Sequence, residues 1–404
     1  MTDPIIIVGA SQAGVQIAES LRQDGYDGPV TLIGDEPHPP YQRPPLSKAL
    51  LTGETTEDRL VLRGPELLAK KNVDLLTRTR ATAIDRAGRR VQLADGRELA
   101  YRGLALTTGG RPRTLPIPGA DLDGVVTLRT IEDSRRIGAG IARAERVAVV
   151  GGGFIGLEIA AAARKAGKPV VVFEALDRLL ARSSAPFVSE FFLDVHRGYG
   201  VDVRLATAVA AIDGKGRAEA VVTADGRAHP ADLVVVGVGL VPNAELAQAS
   251  GLACDRGIIV DDCSRTEDAA VVAAGDCTAR RLADGTLLRL ESVQNAIEQG
   301  KSAAAALIGK ARPFTAAPWF WSDQYDVRLQ MAGLTAGHDQ IVVRGDRAAQ
   351  RFSVCYFRGE KLIALDSINR SPDHGAARRL LDRGLSPSFA QAADESFALM
   401  SLLK

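Results

Sequence analysis

Two short glycine-rich runs carry the most specific chemistry in the sequence. The first is Gly9-Ala10-Ser11-Gln12-Ala13-Gly14, and the second is Gly151-Gly152-Gly153-Phe154-Ile155-Gly156. Each follows an apolar run, Ile5-Ile6-Ile7-Val8 or Val147-Ala148-Val149-Val150, and each leads into a helical stretch, amphipathic in the first and alanine-rich in the second. A second apolar run then ends near a carboxylate, at Asp35 in the first copy and at Glu174 in the second. Spaced this way, the first glycine permits a tight turn, the second lets backbone approach a pyrophosphate, and the third lets helix and strand pack closely. Free N–H groups and the helix dipole then attract phosphate, and the carboxylate accepts hydrogen bonds from ribose hydroxyls. A carboxylate repels a 2′-phosphate, so Glu174 favours NADH over NADPH. One such run is a weak signal. Two, each with strands, helix and acid, imply two bound dinucleotides, one FAD and one NADH. Ser11 in place of the middle glycine is the one departure in the first copy.

The elements that must position these runs follow from their periodicity. The unbroken apolar runs predict buried parallel strands at 5–8, 30–33, 146–150 and 169–173, with helices from Val15 to about Arg22 and from Leu157 to Lys165. Composition shifts near Pro313, since residues 313–404 hold 10 of the 19 aromatic residues. Segments 340–344, 351–358 and 361–367 predict an antiparallel sheet, with a helix at 375–383. Trp319-Phe320-Trp321 is expected to be a hydrophobic plug.

Beyond the glycine runs, the chain carries Arg43-Pro44-Pro45-Leu46-Ser47-Lys48, Thr107-Thr108-Gly109-Gly110-Arg111-Pro112, Leu128-Arg129-Thr130, Gly237-Val238-Gly239-Leu240-Val241-Pro242-Asn243, Ala274-Gly275-Asp276-Cys277, Glu291-Ser292-Val293-Gln294-Asn295-Ala296 and Trp319-Phe320-Trp321-Ser322-Asp323-Gln324. In this order the motifs resemble the oxygenase-coupled ferredoxin reductases of the two-dinucleotide flavoprotein superfamily, over essentially the whole chain. The resemblance implies an α/β fold of glutathione-reductase-like architecture, with two Rossmann-like domains and a C-terminal α+β domain. Domains are expected at 1–113 with 240–316 for FAD, at 114–239 for NADH, and at 317–404. It also implies FAD contacts from Gly9, Ser11, Ala13, Gly14, Asp35, Arg43, Lys48, Ala81, Arg129, Asp276, Val293 and Trp321. The NADH site falls to Gly151, Gly152, Gly153, Phe154, Ile155, Gly156, Glu158, Glu174 and Gly239. Lys48, Glu158 and Trp321 are the implied catalytic residues: Lys48 to compensate charge on reduced flavin, Glu158 to orient the nicotinamide. The implied reaction passes a hydride from NADH to FAD, then single electrons to a [2Fe-2S] ferredoxin that serves a cytochrome P450 or a ring-hydroxylating dioxygenase.

Other function classes are disfavoured. Residues 36–60 hold no cysteine and all four cysteines lie beyond residue 250, so a thiol relay beside the flavin has no residue to carry its thiolate. The cysteines are expected to be structural thiols in a reducing, cytoplasmic setting. The five histidines show no ligand spacing, so no metal site is expected, and they are expected at surface or loop positions. A net charge of +1 gives no bulk attraction to nucleic acid or an anionic membrane. No signal peptide and no membrane span is expected. Arg63, Arg312 and Arg328 are candidates for meeting an acidic ferredoxin. The remaining alternatives are a rubredoxin or monodehydroascorbate-type reductase, or an interaction protein resembling apoptosis-inducing factor.

Overall fold

Strand Ile5–Val8 sits at the centre of a five-stranded parallel sheet because its four apolar side chains are buried on both faces. The computed structural model describes residues 4–404, which form two units. The first comprises residues up to 42, 58–111 and 240–316; the second comprises 43–57, 112–239 and 317–404.

In the first unit, Ile5–Val8 pairs in parallel with Val30–Ile33 on one side and Gly103–Leu106 on the other. Val73–Leu76 and Val271–Ala273 complete the sheet. Helix Gln12–Gln23 buries Val15, Ile17, Ala18 and Leu21 against it. A three-stranded antiparallel sheet, Ala81–Asp85, Arg90–Leu93 and Glu98–Ala100, is inserted before the fourth parallel strand.

The second unit repeats this plan. Val147–Val150 pairs with Val170–Phe173 and Leu233–Val236, and Asp202–Arg204 and Val125–Val126 extend the sheet. Here too an antiparallel insert appears, formed by Val209–Asp213, Ala220–Thr223 and Ala228–Pro230. Both inserts carry an irregularity near the start of their first strand, at Ala81/Ala83 and at Val209/Ala211. The internal repeat therefore extends far beyond its glycine turns. Leu233–Val236 is fully buried in the second sheet.

The C-terminal region of the second unit is a five-stranded antiparallel sheet. Strands Gln340–Asp346, Arg351–Arg358 and Lys361–Ile368 and helix Ser371–Arg383 follow the sequence expectation. The aromatic segment departs from it. Trp319–Gln324 is an edge strand paired with Val327–Gly333, not merely a plug. Its turn is Tyr325-Asp326, with Tyr325 at φ 58°. That turn lacks the Asn-Gly or Asp-Gly pair by which a tight hairpin is read from sequence. No helix among the described residues is long and apolar enough to cross a membrane.

Candidate functional site

Both glycine runs form the same device. Gly9 and Gly151 take φ of 120° and 109°, a region closed to most side chains. A Cβ at Gly9 would lie 2.1 Å from the Thr107 carbonyl oxygen, and one at Gly151 2.5 Å from that of Gly237. The last glycines are as tightly placed: a Cβ at Gly14 or Gly156 would lie 2.1 or 2.2 Å from the carbonyl oxygen of Gly9 or Gly151. The middle position is different. At Gly153 an added Cβ meets nothing within 4 Å. Ser11 is tolerated in the first copy for this reason, since the equivalent direction is open.

The helices behind the turns begin without side-chain caps. Ser11 and Gly153 are the N-cap residues, and neither helix start receives a side-chain hydrogen bond. Their hydrogen-bond ladders begin at Val15 N–H to Ser11 O and Leu157 N–H to Gly153 O. The N–H groups of Ala13, Gly14, Ile155 and Gly156 therefore have no acceptor within their own helices. Helices Ile131–Arg143 and Val293–Leu307, by contrast, are capped: Thr130 and Asp133 form a reciprocal box, and Ser292 accepts from Asn295 N–H. Uncapped N–H groups, a positive dipole end and an open middle position are the donor set a dinucleotide pyrophosphate requires, so both turns fit one.

The two carboxylates sit differently. Glu174 folds back on its own turn, accepting from Gly152 N–H at 2.6 Å and Leu176 N–H at 2.8 Å. Asp35 is exposed and pairs with Arg80 at 3.3 Å, beside Ala81. Asp276 follows Gly275, whose Cβ direction meets Ala13 at 3.3 Å, so Asp276 is brought to the first turn. Gln299, which belongs to no sequence motif, fixes this corner: its Oε1 accepts from Gly275 N–H at 2.8 Å and Thr278 Oγ at 3.0 Å. Val293 opens the helix Val293–Leu307, and that helix shares a core with Ala13 through Ala296, Ala303 and Ala304.

In the second unit, Lys48 Nζ lies 2.8 Å from Glu158 Oε1. Glu158 stands on helix Phe154–Lys165, and its side chain is 1% exposed against 17% for Lys48. Ser47 Oγ donates to Glu158 Oε2 and Ser322 Oγ to Oε1, both at 2.5 Å. The carboxylate is thus sealed by three donors, and only the ammonium is partly open. Arg43 donates to the Arg129 carbonyl at 2.6 Å. Phe154 packs on Phe320 at 4.8 Å between ring centroids, and Trp321 lies beside Trp319 at 5.6 Å. Ile155 is exposed, and Gly239 faces Arg182 at 3.6 Å.

The expectation for the histidines needs correction. His196 and His374 are buried, not superficial, because they lie on the inward faces of the amphipathic helices Pro186–Gly198 and Ser371–Arg383. Burial pushes both imidazoles down to about 4. Arg63, Arg312 and Arg328 stay partly exposed, each paired with an acid of its own unit: Glu19, Asp24 and Asp323. The four cysteines are unpaired, and burial pushes the Cys277 thiol up to about 11 and Cys355 to about 12, far from the thiolate that disulfide chemistry needs. Among the described residues no His, Cys, Asp and Glu cluster could hold a metal.

Twin glycine turns on twin parallel sheets define a protein that takes two dinucleotides. The chain belongs to the pyridine nucleotide-disulphide oxidoreductase family, whose pattern matches residues 3–300, and a Reductase C-terminal pattern matches residues 319–403. It is 45% identical over 397 residues to rhodocoxin reductase of Rhodococcus erythropolis, covering 98% of this chain and 93% of that one. Among solved structures, it is similar to the ferredoxin reductase for the CYP199A2 system from Rhodopseudomonas palustris, with a TM-score of 0.96, 43% identity and 99% of each chain covered. It is equally close to the chain of a covalent putidaredoxin reductase–putidaredoxin complex, with a TM-score of 0.96, 41% identity, and 100% of this chain and 98% of that one covered.

Proposed function

We propose that this chain is an FAD-dependent ferredoxin reductase that oxidises NADH and delivers electrons one at a time to a [2Fe-2S] ferredoxin feeding a cytochrome P450 or a ring-hydroxylating oxygenase. The balanced reaction turns NADH and two oxidised ferredoxins into NAD⁺, two reduced ferredoxins and one proton. Bound FAD supplies the conversion between a two-electron donor and one-electron acceptors. The observation that carries the reading is the pair of uncapped helices behind glycine turns, each with its own carboxylate.

The residues divide the work as follows. Residues 1–113 with 240–316 bind FAD, 114–239 bind NADH, and 317–404 form the C-terminal domain. The Gly9–Gly14 turn, with Ser11 and Ala13, holds the FAD pyrophosphate. Asp35 takes the ribose, Asp276 the ribityl chain, and Ala81, Arg129, Val293 and Arg43 line the rest. The Gly151–Gly156 turn, with Phe154 and Ile155, holds the NADH pyrophosphate, and Gly239 lines it. Glu174 selects NADH, because Gly152 N–H of the turn and Leu176 N–H hold its carboxylate in place and a 2′-phosphate would meet its negative charge. Lys48 serves the flavin as a fixed cation. Glu158 is its counter-ion; because Lys48, Ser47 and Ser322 enclose its carboxylate, it acts through Lys48 and does not orient the nicotinamide directly as the resemblance implied. Trp321 lies on the face that the protein acceptor approaches. The four free thiols fit a cytoplasmic setting.

Anaerobic mixing with NADH tests the reading. The purified yellow protein should bleach, and added [2Fe-2S] ferredoxin should be reduced at two equivalents per NADH. A colourless protein, or a flavin that NADH does not bleach, overturns it. Reduction of rubredoxin but of no [2Fe-2S] ferredoxin replaces the acceptor and leaves the rest.

A further inference from the structure

Behind the Lys48–Glu158 pair lies a line of polar side chains that the reaction above does not use. Ser322 and Gln324 alternate along the edge strand Trp319–Gln324, so their side chains share one face, and both are fully buried. His196, also fully buried, meets them from helix Pro186–Gly198. His196 Nε2 lies 2.8 Å from Gln324 Oε1, Gln324 Nε2 lies 3.2 Å from Ser322 Oγ, and Ser322 Oγ lies 2.5 Å from Glu158 Oε1. We infer that His196, Gln324 and Ser322 form a one-way hydrogen-bond relay that holds the Glu158 carboxylate on Lys48, which makes His196 a positioning residue for that pair.

The direction follows from the donor inventory. The Glu158 carboxylate can only accept, so Ser322 must spend its single proton on it. Ser322 Oγ is then an acceptor, which requires the Gln324 NH₂ on its side and the Gln324 carbonyl on the other. That carbonyl needs a donor, and His196 Nε2–H is the group facing it. The Nδ1 of the same ring is left as an acceptor, and Tyr325 Oη stands 3.5 Å from it. The charged and titratable neighbours of the ring are few. Tyr199 stacks on Tyr325 at 3.7 Å and donates to Asp326, while Arg197 is turned away to the Val203 carbonyl. Burial keeps the imidazole neutral, and so able to donate at one nitrogen and accept at the other.

Aligned donors in a dry interior polarise one another toward the carboxylate. Losing the first one reverses the rest. Without His196, the Gln324 amide can turn and offer its oxygen to Ser322, and the serine proton then leaves Glu158. The line does not conduct protons, because the amide of Gln324 interrupts it and every donor already points the same way. Its output is geometric: Glu158 stays an acceptor in one orientation, and Lys48 stays fixed over it.

The inference rests on the proposed function for its kinetic arm but not for its structural one. In flavin-loaded protein labelled with ¹⁵N-histidine, His196 should be neutral with its proton on Nε2 between about pH 6 and 8. A proton on Nδ1 overturns the relay. Gln324→Glu keeps the shape but gives Ser322 a competing acceptor. That variant and Ser322→Ala should each slow the limiting rate of flavin bleaching by NADH about tenfold, the loss of one hydrogen bond to a charged group. Half-saturating NADH should stay within about twofold, since the dinucleotide turn is untouched. Ser322→Thr, which retains the hydroxyl, should recover most of the rate. Ser322→Ala and Ser322→Thr behaving alike also overturns the relay. A wild-type flavin that NADH never bleaches would sink the proposed function while leaving the tautomer measurement to decide the relay.

Discussion

The two glycine turns are built on one plan, and one pair of facing positions sets how each holds its carboxylate. In the first, Ala10 faces Gly34, where an added Cβ would lie 2.7 Å from that of Ala10. In the second, Gly152 faces Glu174, whose Oε2 lies 3.0 Å from where a Gly152 Cβ would be. Gly34 and Glu174 are equivalent by register: each directly follows the second strand, and their carbonyls accept from Thr79 and Thr207 N–H in turn. The methyl group has changed sides. Where it sits on the turn, the facing residue must be glycine, and the acid moves one place further to Asp35, exposed and loosely paired. Where it is missing, a full glutamate fits and folds onto the turn. One turn thus presents a loosely held carboxylate and the other a fixed one, and the fixed one is suited to discriminating between two forms of a co-substrate.

The largest expected effect separates the turns outright. Gly9→Ala should yield a colourless protein, because a Cβ 2.1 Å from a carbonyl forces the backbone apart. Gly151→Ala should stay yellow but resist bleaching by NADH. Flavin content and anaerobic bleaching read both, and loss of flavin from Gly151→Ala would exchange the assignments of the turns. Next, Glu174→Arg should shift the ratio of kcat/KM for NADH over NADPH by about a hundredfold toward NADPH, through removal of a repulsive charge and gain of a phosphate partner; an unchanged ratio removes Glu174 from selection. Gly152→Ala should push Glu174 off its backbone donors and raise KM for NADH about fivefold, an overpacking cost of about 1 kcal/mol. Gly153→Ala at the open position should leave thermal stability unchanged.

A subtler contrast concerns the support of the second turn. Leu180 N–H donates to the Gly152 carbonyl at 3.0 Å, and the same segment ends at Ala185, whose N–H donates to Tyr356 Oη at 3.1 Å. Tyr356 Oη in turn donates to Asp366 at 2.6 Å. Complete burial pushes the Asp366 carboxyl up from its ordinary 3.8 to about 7. The folded chain therefore holds this proton over a range in which the unfolded chain has lost it, so stability falls as pH rises from about 4 through about 7. Asp366→Asn should flatten that fall in a melting-temperature series. An unchanged slope would free Asp366 of the role. Smallest is Asp35→Asn. An exposed acid in a single ion pair contributes about 1 kcal/mol or less, so flavin retention should weaken by no more than about fivefold in a dilution assay.

The sequence by itself determined the two dinucleotide turns, the parallel strands that feed them, and the residue types at each turn position. Those features are local: a tight turn, an unbroken apolar run and a helix start each depend on residues within a few positions of one another. The same holds for the strands at 340–346, 351–358 and 361–368, where alternation and short turns are visible in the chain itself. The edge hairpin at 319–333 was not legible, because Tyr325 adopts the left-handed turn without the glycine that normally signals it. Nor was the enclosure of Glu158. Ser47, His196, and the pair Ser322 and Gln324 come from three separate stretches of chain, and each alone reads as an unremarkable polar residue. Only tertiary packing decided that they meet, because a buried carboxylate must be satisfied by whichever donors the fold brings to it, and no sequence spacing records that requirement.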